Sequence, residues 1–494
     1  MDPVLVLNAR DDVGVALRPL NIGERVRGIS VQEAVPEGHK VALKTIRPGQ
    51  AVYKYGHPIG VAKSAIEPGQ WVHAHNLASG LKPDGSYTYE PVSTPLHPGS
   101  VDLPNEFWGY VRDDGQVGTR NEIWIINTVG CVNKTAERLA ALAEKELAVD
   151  GVDGFYTFSH PYGCSQLGDD LTHTQKILAA LVRHPNAAGV LVLGLGCESN
   201  RIADFSCVVG SVSDRRVKYL TVQEVEDEWT VGLTLLTELR DYALSFRRQP
   251  IPVSRLTMGL KCGGSDGFSG ISANPLVGLV AERVVARGGT ALLTEVPEMF
   301  GAETLLMNRA HDEATFEKVV TLIDDFKQYY VSHHQPVYEN PSPGNKDGGI
   351  TTLEEKSLGC IQKGGQCPVV DVLDYAEAVR RPGLNLVQAP GNDPVSVTAL
   401  VGAGAQVVLF TTGRGTPMGG PVPTVKVATN SALAQRKPQW IDFDAGRLFA
   451  GDDLDSMADE LYRLVIDVAS GRRKTRNEEW GFREIAIFKD GVTL

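Results

Sequence analysis

The chain lacks several features that would settle its class at once. No apolar run approaches the roughly 18 residues that a membrane-spanning helix needs, so no bilayer crossing is expected. The opening MDPVLVLNARDDVG has neither a basic leader nor a long apolar core, so no secretory signal is expected and the protein reads as cytoplasmic and soluble. Positive charge is in short supply. With 48 Lys and Arg against 60 Asp and Glu, the net charge of −12 argues against nonspecific binding to nucleic acid or to an acidic membrane. It leaves room for a few local cations around an anionic substrate. Cysteine is scarce and odd in number, at seven, with no CxxC pair and no zinc-ribbon spacing, so no disulfide framework is expected. No Walker A loop or GxGxxG follows a suitable strand, which argues against ATP or NAD.

What is present is an ordinary globular composition, 42% apolar and 22% charged, over 494 residues, enough for two or three domains. Residues 1–80 read as a small β-rich module, with VLVL, VALKTI and AVYKY separated by Pro-Gly turn signals. Ile46-Arg-Pro-Gly-Gln is echoed by Ile66-Glu-Pro-Gly-Gln, which suits a small barrel or paired hairpins. Residues 81–104 carry Pro83, Pro91, Pro95, Pro98 and Pro104 and read as an extended, fairly stiff linker. Over 105–494, strand-like apolar runs alternate with helical patterns, which predicts a large α/β domain with a mainly parallel sheet covered on both faces. Ligands bind beyond the carboxyl ends of such strands. The polar, cysteine-bearing turns GCVN, YGCSQLGDD, GLGCESN, KCGGSDG and TGRGTPMGG fall at those ends.

Those turns hold most of the candidate chemistry. Cys131, Cys164 and Cys197 each follow a strand-like run, and three converging thiolates suit iron, as one ion or a cluster, or zinc. The plainer alternative is three small buried residues in tight turns. His73 and His75, in an apparent strand, would share a face and chelate a divalent cation, or simply sit on a solvated strand. His39-Lys40 pairs a titratable base with a cation, or marks a surface turn. Lys261-Cys-Gly-Gly-Ser-Asp-Gly267 offers a cation, the polar side chains of Ser265 and Asp266, and free amides for an anionic ligand. Arg120 and Arg414 are candidate carboxylate contacts or structural ion-pair partners. Glu295, Glu298 and Asp393 are candidate acids, ligands or helix caps.

GHKVAL, KYGHPIG and VHAHN resemble the SAF-like N-terminal module of the altronate and galactarate dehydratase family. GTRNEIWIINTVGCVN, HPYGCSQLGDD, GLGCESN, CGGSDGFSGISANP, TEVPEMFGAE, PSPGNKDGGITTLE and TTGRGTPMGG resemble its large catalytic domain. His73 and His75, WIDFDAG and the closing AIFKDGVTL resemble the altronate branch, and Cys360 falls in that branch's pattern only and is left out of the expected site. The resemblance implies conversion of D-altronate to 2-dehydro-3-deoxy-D-gluconate in hexuronate catabolism, with ferrous iron, manganese as an alternative, and an iron–sulfur cluster left open. On this reading His39 and Lys40 are catalytic, and Arg120, Lys261, Ser265, Asp266 and Arg414 contact substrate. His73, His75, Cys131, Cys164 and Cys197 bind metal. The expected partner is a small sugar acid, with no nucleic acid or membrane, and the general prevalence of two-fold symmetry suggests a homodimer. Rival readings are a galactarate or other sugar-acid dehydratase, a noncatalytic sensor and a cysteine-based redox protein. The absence of a basic recognition helix and of CxxC weighs against the last two.

Overall fold

A computed structural model describes residues 2–81 and 85–494; Pro83 of the expected linker lies outside the described residues. The N-terminal region is the β-rich module expected. Val4–Leu5, Val13–Ala16, Lys40–Ala42 and Trp71–Val72 form one antiparallel sheet, and Ala51–Lys54, His57–Ala62 and Leu77–Ala78 form another. The sequence echo has a physical counterpart. Ile46 and Ile66 exchange both backbone hydrogen bonds at 2.9 Å, and the glutamines four residues on, Gln50 and Gln70, accept from the amides of Arg47 and Glu67. Each Pro-Gly turn closes on a glycine at positive φ, +78° at Gly49 and +88° at Gly69, which an L side chain rarely adopts.

From Gly85 to Pro104 the chain forms no regular element and lies along the C-terminal region. Tyr87 donates to Glu303 (2.9 Å), Tyr89 to the Ala310 carbonyl (2.8 Å), and the His97 amide to Glu282 (2.8 Å). The stretch is a strap fastened along its length.

Residues 105–494 carry two parallel sheets where one was expected. The smaller has four strands in the order Phe155–Thr157, Glu122–Asn127, Ala187–Gly194, Val217–Thr221. Ala187–Gly194 is buried at every position, between the helices Asn133–Leu147 and Glu228–Ala243 and the helices Gly168–Arg183 and Ile202–Val209. This explains why it reads as a continuous apolar run instead of an alternating one. The larger sheet has seven parallel strands in the order Val369–Leu373, Gly383–Val387, Thr290–Leu293, Thr257–Cys262, Val407–Thr412, Thr424–Ala428, Phe443–Asp444. In both sheets the chain reverses its direction of travel beside the first strand laid down. The resulting crevices lie between Glu122–Asn127 and Ala187–Gly194, and between Thr257–Cys262 and Val407–Thr412. Such switch points are where open α/β sheets bind ligands. Among the described residues no helix is long and apolar enough to cross a membrane.

Candidate active site

The crevice of the seven-stranded sheet is roofed by the N-terminal module. The contact is made by the helix Leu353–Cys360, whose Glu355 amide donates to the capping Thr352 hydroxyl. One turn in, Glu355 is buried and accepts from Lys40 and Lys54, each at 2.8 Å. Lys40 also donates to the Gly349 carbonyl (2.7 Å) and the Thr351 hydroxyl (2.8 Å). Two ammonium groups share one carboxylate, so the buried triad is one positive charge in excess. Burial alone would raise Glu355, but Lys40 and Lys54 outweigh it and hold the carboxyl at about 2. Burial, helped by Lys54 and opposed by Glu355, brings Lys40 down to about 8.

Thr351 extends the network to the histidines, since its hydroxyl lies 2.9 Å from His73 Nδ1. Burial first, then the charge on Lys40, lowers His73 to about 4, so its imidazole is neutral near pH 7. His39 is held differently. Its Nδ1 accepts from the Trp71 indole (3.1 Å) and its Nε2 donates to the Asp347 carbonyl (3.2 Å). Both ring nitrogens are therefore engaged, which fixes the Nε2–H tautomer. Its place is to hold Trp71, which stacks on His73 at 5.2 Å.

On the floor of the crevice, Lys261 pairs with Glu295 and with Asp393 (3.0 Å), and Lys363 reaches Glu295 (3.0 Å) and the thiols of Cys262 (3.0 Å) and Cys360 (2.9 Å). Lys356 pairs with Glu298 at 2.9 Å. Glu295 takes φ +70°, a left-handed conformation that a non-glycine residue keeps only when its surroundings impose it. Cys262, Glu295, Glu298 and Cys360 form a buried group of ligating atoms within 4.8 Å of one another. Sulfur and carboxylate donors suit a transition metal in type. The geometry does not suit one, because the Lys363 ammonium sits against three of the four donors and Lys356 holds the fourth. Three ammonium groups already balance Glu295, Glu298 and Asp393, and a divalent cation would add uncompensated charge to a dry site.

Between roof and floor is a cavity of about 10 Å³, lined by Lys54, Tyr55, Cys262, Ser265, Asp266 and Glu355 among others, with room for one water. Ser265 lines this cavity. Asp266 is there too, but its carboxylate is filled by Thr429, Ser269, Asn430 and the Phe268 amide, so it ties the turns together. Lys261 is likewise committed to its carboxylates. Arg414 is exposed beside the crevice, its amide donating to the Gly264 carbonyl at 2.8 Å.

Arg120 and the His73–His75 pair are placed differently from the sequence pattern. Arg120 lies before the start of Glu122–Asn127, at the opposite end of the small sheet from its switch point. Its guanidinium is consumed by Glu478 (2.7 and 3.0 Å) and the carbonyls of Thr119 and Val468 (2.8 Å each). His73 and His75 do not share a strand face. The strand stops at Val72, and Asn76 folds back on His73 in a turn, its side chain accepting from the His73 amide at 2.9 Å. Cys131, Cys164 and Cys197 lie in the turns at the ends of the four-stranded sheet, all exposed and outside the buried group. The residues not anticipated are Lys54, Thr351, Glu355 and Lys363. Thr352 with Glu355 is a capping-box spacing and a legible helix start, though nothing local marks the glutamate as a partner for two lysines some 300 residues away.

Fold and site define an α/β enzyme whose acid–base crevice is covered by a small β module. The chain belongs to the altronate/galactarate dehydratase family. Residues 2–80 match the description "Altronate/galactarate dehydratase SAF domain", 109–244 "D-galactarate dehydratase/Altronate hydrolase, second domain", and 253–493 "D-galactarate/Altronate dehydratase, C-terminal". It is 51% identical to the altronate dehydratase of Escherichia coli K12 over 99% of both chains, and 50% identical to that of Bacillus subtilis 168 over the whole of both. Identity to the galactarate dehydratase (L-threo-forming) of Escherichia coli K12 is 33%, over 93% of this chain and 91% of the relative.

Proposed function

We propose that the protein is a hydro-lyase that converts D-altronate to 2-dehydro-3-deoxy-D-gluconate and water, a step of hexuronate breakdown. The observation that carries this reading is identity of about half, over the full length, to two altronate dehydratases, against one third to a galactarate dehydratase. Removing the carbon-2 proton beside a carboxylate creates an enediolate, and loss of the carbon-3 hydroxyl then gives an enol that becomes the keto acid. A base, an acid and fixed positive charge are required. His73, neutral near pH 7, takes the proton. Thr351 links it to Lys40, whose lowered affinity lets it exchange a proton at working pH. The excess positive charge of the Lys40–Glu355–Lys54 triad stabilises the enediolate, and Arg414 receives the substrate carboxylate. A sugar acid cannot enter a cavity of about 10 Å³, so the module lifts from the crevice during turnover.

Ferrous iron, with manganese as alternative, is the proposed cofactor, and the buried Cys262–Glu295–Glu298–Cys360 donors, held by ammonium groups, do not provide its site. The proposed compartment is the cytoplasm, which suits seven free thiols, four of them exposed, and the proposed assembly is a homodimer. Keto-acid formation from D-altronate and from galactarate, by anaerobically purified protein with and without ferrous iron, tests the reading. Turnover of altronate is the expected result; turnover of galactarate alone overturns it.

A further inference from the structure

The four-stranded sheet presents a second switch point that the crevice chemistry does not use. Three Gly-Cys pairs stand there, with thiols 33 residues apart at Cys131, Cys164 and Cys197. Each pair follows a strand and precedes a helix, and the three strands, Phe155–Thr157, Glu122–Asn127 and Ala187–Gly194, are adjacent in the sheet. The turns interlock. The Gly130 amide donates to the Tyr162 carbonyl (2.8 Å), the Asn200 amide to the Gly163 carbonyl (2.9 Å), and the Asn200 side chain to the Thr128 carbonyl (3.1 Å). The glycines permit this approach, because a Cβ on Gly163 would lie 2.0 Å from the Thr128 carbonyl oxygen and one on Gly130 would lie 2.7 Å from that of His160. The three turns thus pack closely against one another while their thiols stay exposed, whereas free cysteines are among the most buried residues. Two side-chain oxygens of the same turns, Asn127 Oδ1 and Asn200 Oδ1, are buried without a hydrogen-bond partner.

Among the described residues, Cys262, Glu295, Glu298 and Cys360 form the one group of ligands close enough to share a single ion, so these thiols are not drawn in as for a mononuclear site. An iron–sulfur cluster spans wider thiol separations, because each sulfur binds a different iron. We propose that Cys131, Cys164 and Cys197 ligate an iron–sulfur cluster at the open end of the four-stranded sheet. Each thiol gives its proton to solvent as its sulfur binds iron, and in a four-iron cluster three thiolates leave one iron without a protein sulfur. The proposal does not depend on which sugar acid is the substrate.

The test uses full-length protein purified without oxygen, as isolated and after reconstitution with ferrous and ferric iron and sulfide. Iron and acid-labile sulfide per chain, visible charge-transfer absorption and the paramagnetic resonance of the reduced protein are measured. Labile sulfide in proportion to iron is expected, falling to background in Cys131→Ser, Cys164→Ser and Cys197→Ser and retained in Cys207→Ser, with circular dichroism unchanged in all four. Two results overturn the proposal: labile sulfide no higher than in the triple serine variant, or iron bound without sulfide and lost from that variant, which makes the site mononuclear.

Discussion

The two parallel sheets of this protein end in cysteine-bearing turns at equivalent topological positions and treat them in opposite ways. At the seven-stranded sheet the thiols of Cys262 and Cys360 are buried 3.8 Å apart under the N-terminal module, among paired lysines and carboxylates. At the four-stranded sheet Cys131, Cys164 and Cys197 face solvent. The switch point alone therefore does not determine what a sheet end does. What covers it decides whether its charges are desolvated and strongly coupled or open to exchange.

If burial is the difference, removing a buried partner should have the largest effect. Glu355→Ala leaves Lys40 and Lys54 facing each other without a counter-charge and is expected to destabilise the protein by about 3–5 kcal/mol in denaturant unfolding. A loss below about 1 kcal/mol would mean water reaches the triad and the roof is not dry. Next in size, Thr351→Val breaks the link between Lys40 and His73, and kcat should fall about 100-fold with KM little changed, while Thr351→Ser restores it. Arg414→Ala should raise KM about tenfold, or about 1.4 kcal/mol, without changing the unfolding midpoint. An unchanged KM removes Arg414 from carboxylate binding.

Acid should probe the covered sheet end without mutation. His73 is lowered from 6.5 to about 4, so the unfolded chain binds that proton more readily, and stability falls as pH drops through this window. Glu355 is lowered from 4.5 to about 2; its stabilisation is complete above the higher value and is lost as pH falls towards the lower. Unfolding midpoints between pH 7 and 3 should decline in two stages, and His73→Gln should flatten the first. Smallest of all, Cys164→Ser, at an exposed thiol, should change the stability of the iron-free protein by less than about 0.5 kcal/mol.

Much of the fold was legible because burial on both faces leaves unbroken apolar runs, as in Ala187–Gly194, and because Pro-Gly pairs mark turns that demand positive φ. The positions of the thiols at strand ends were legible for the same reason. The division of 105–494 into two sheets was not, since local pattern gives strands without their neighbours. His73 and His75 were misplaced because a period-2 pattern says nothing about Asn76 turning the chain back. Arg120 looked like a ligand contact because it stands among small residues, while its partner Glu478 is distant in sequence. The Lys40–Glu355–Lys54 triad could not be read from three lone charged residues whose meaning comes from burial.

The indole of Trp71 sits against the rings of His39, His73 and His75, with centroids 5.4, 5.2 and 5.3 Å away. An imidazolium quenches indole emission far more than neutral imidazole does, and an indole exposed to water emits at longer wavelength. The junction therefore carries its own optical gauge. Trp124, the other tryptophan stacked on a histidine, lies against His184, which burial keeps neutral down to about 3. Above that, changes of colour and intensity arising at a histidine report from Trp71, and stopped-flow fluorescence can time the seating of the module on its crevice without an added label.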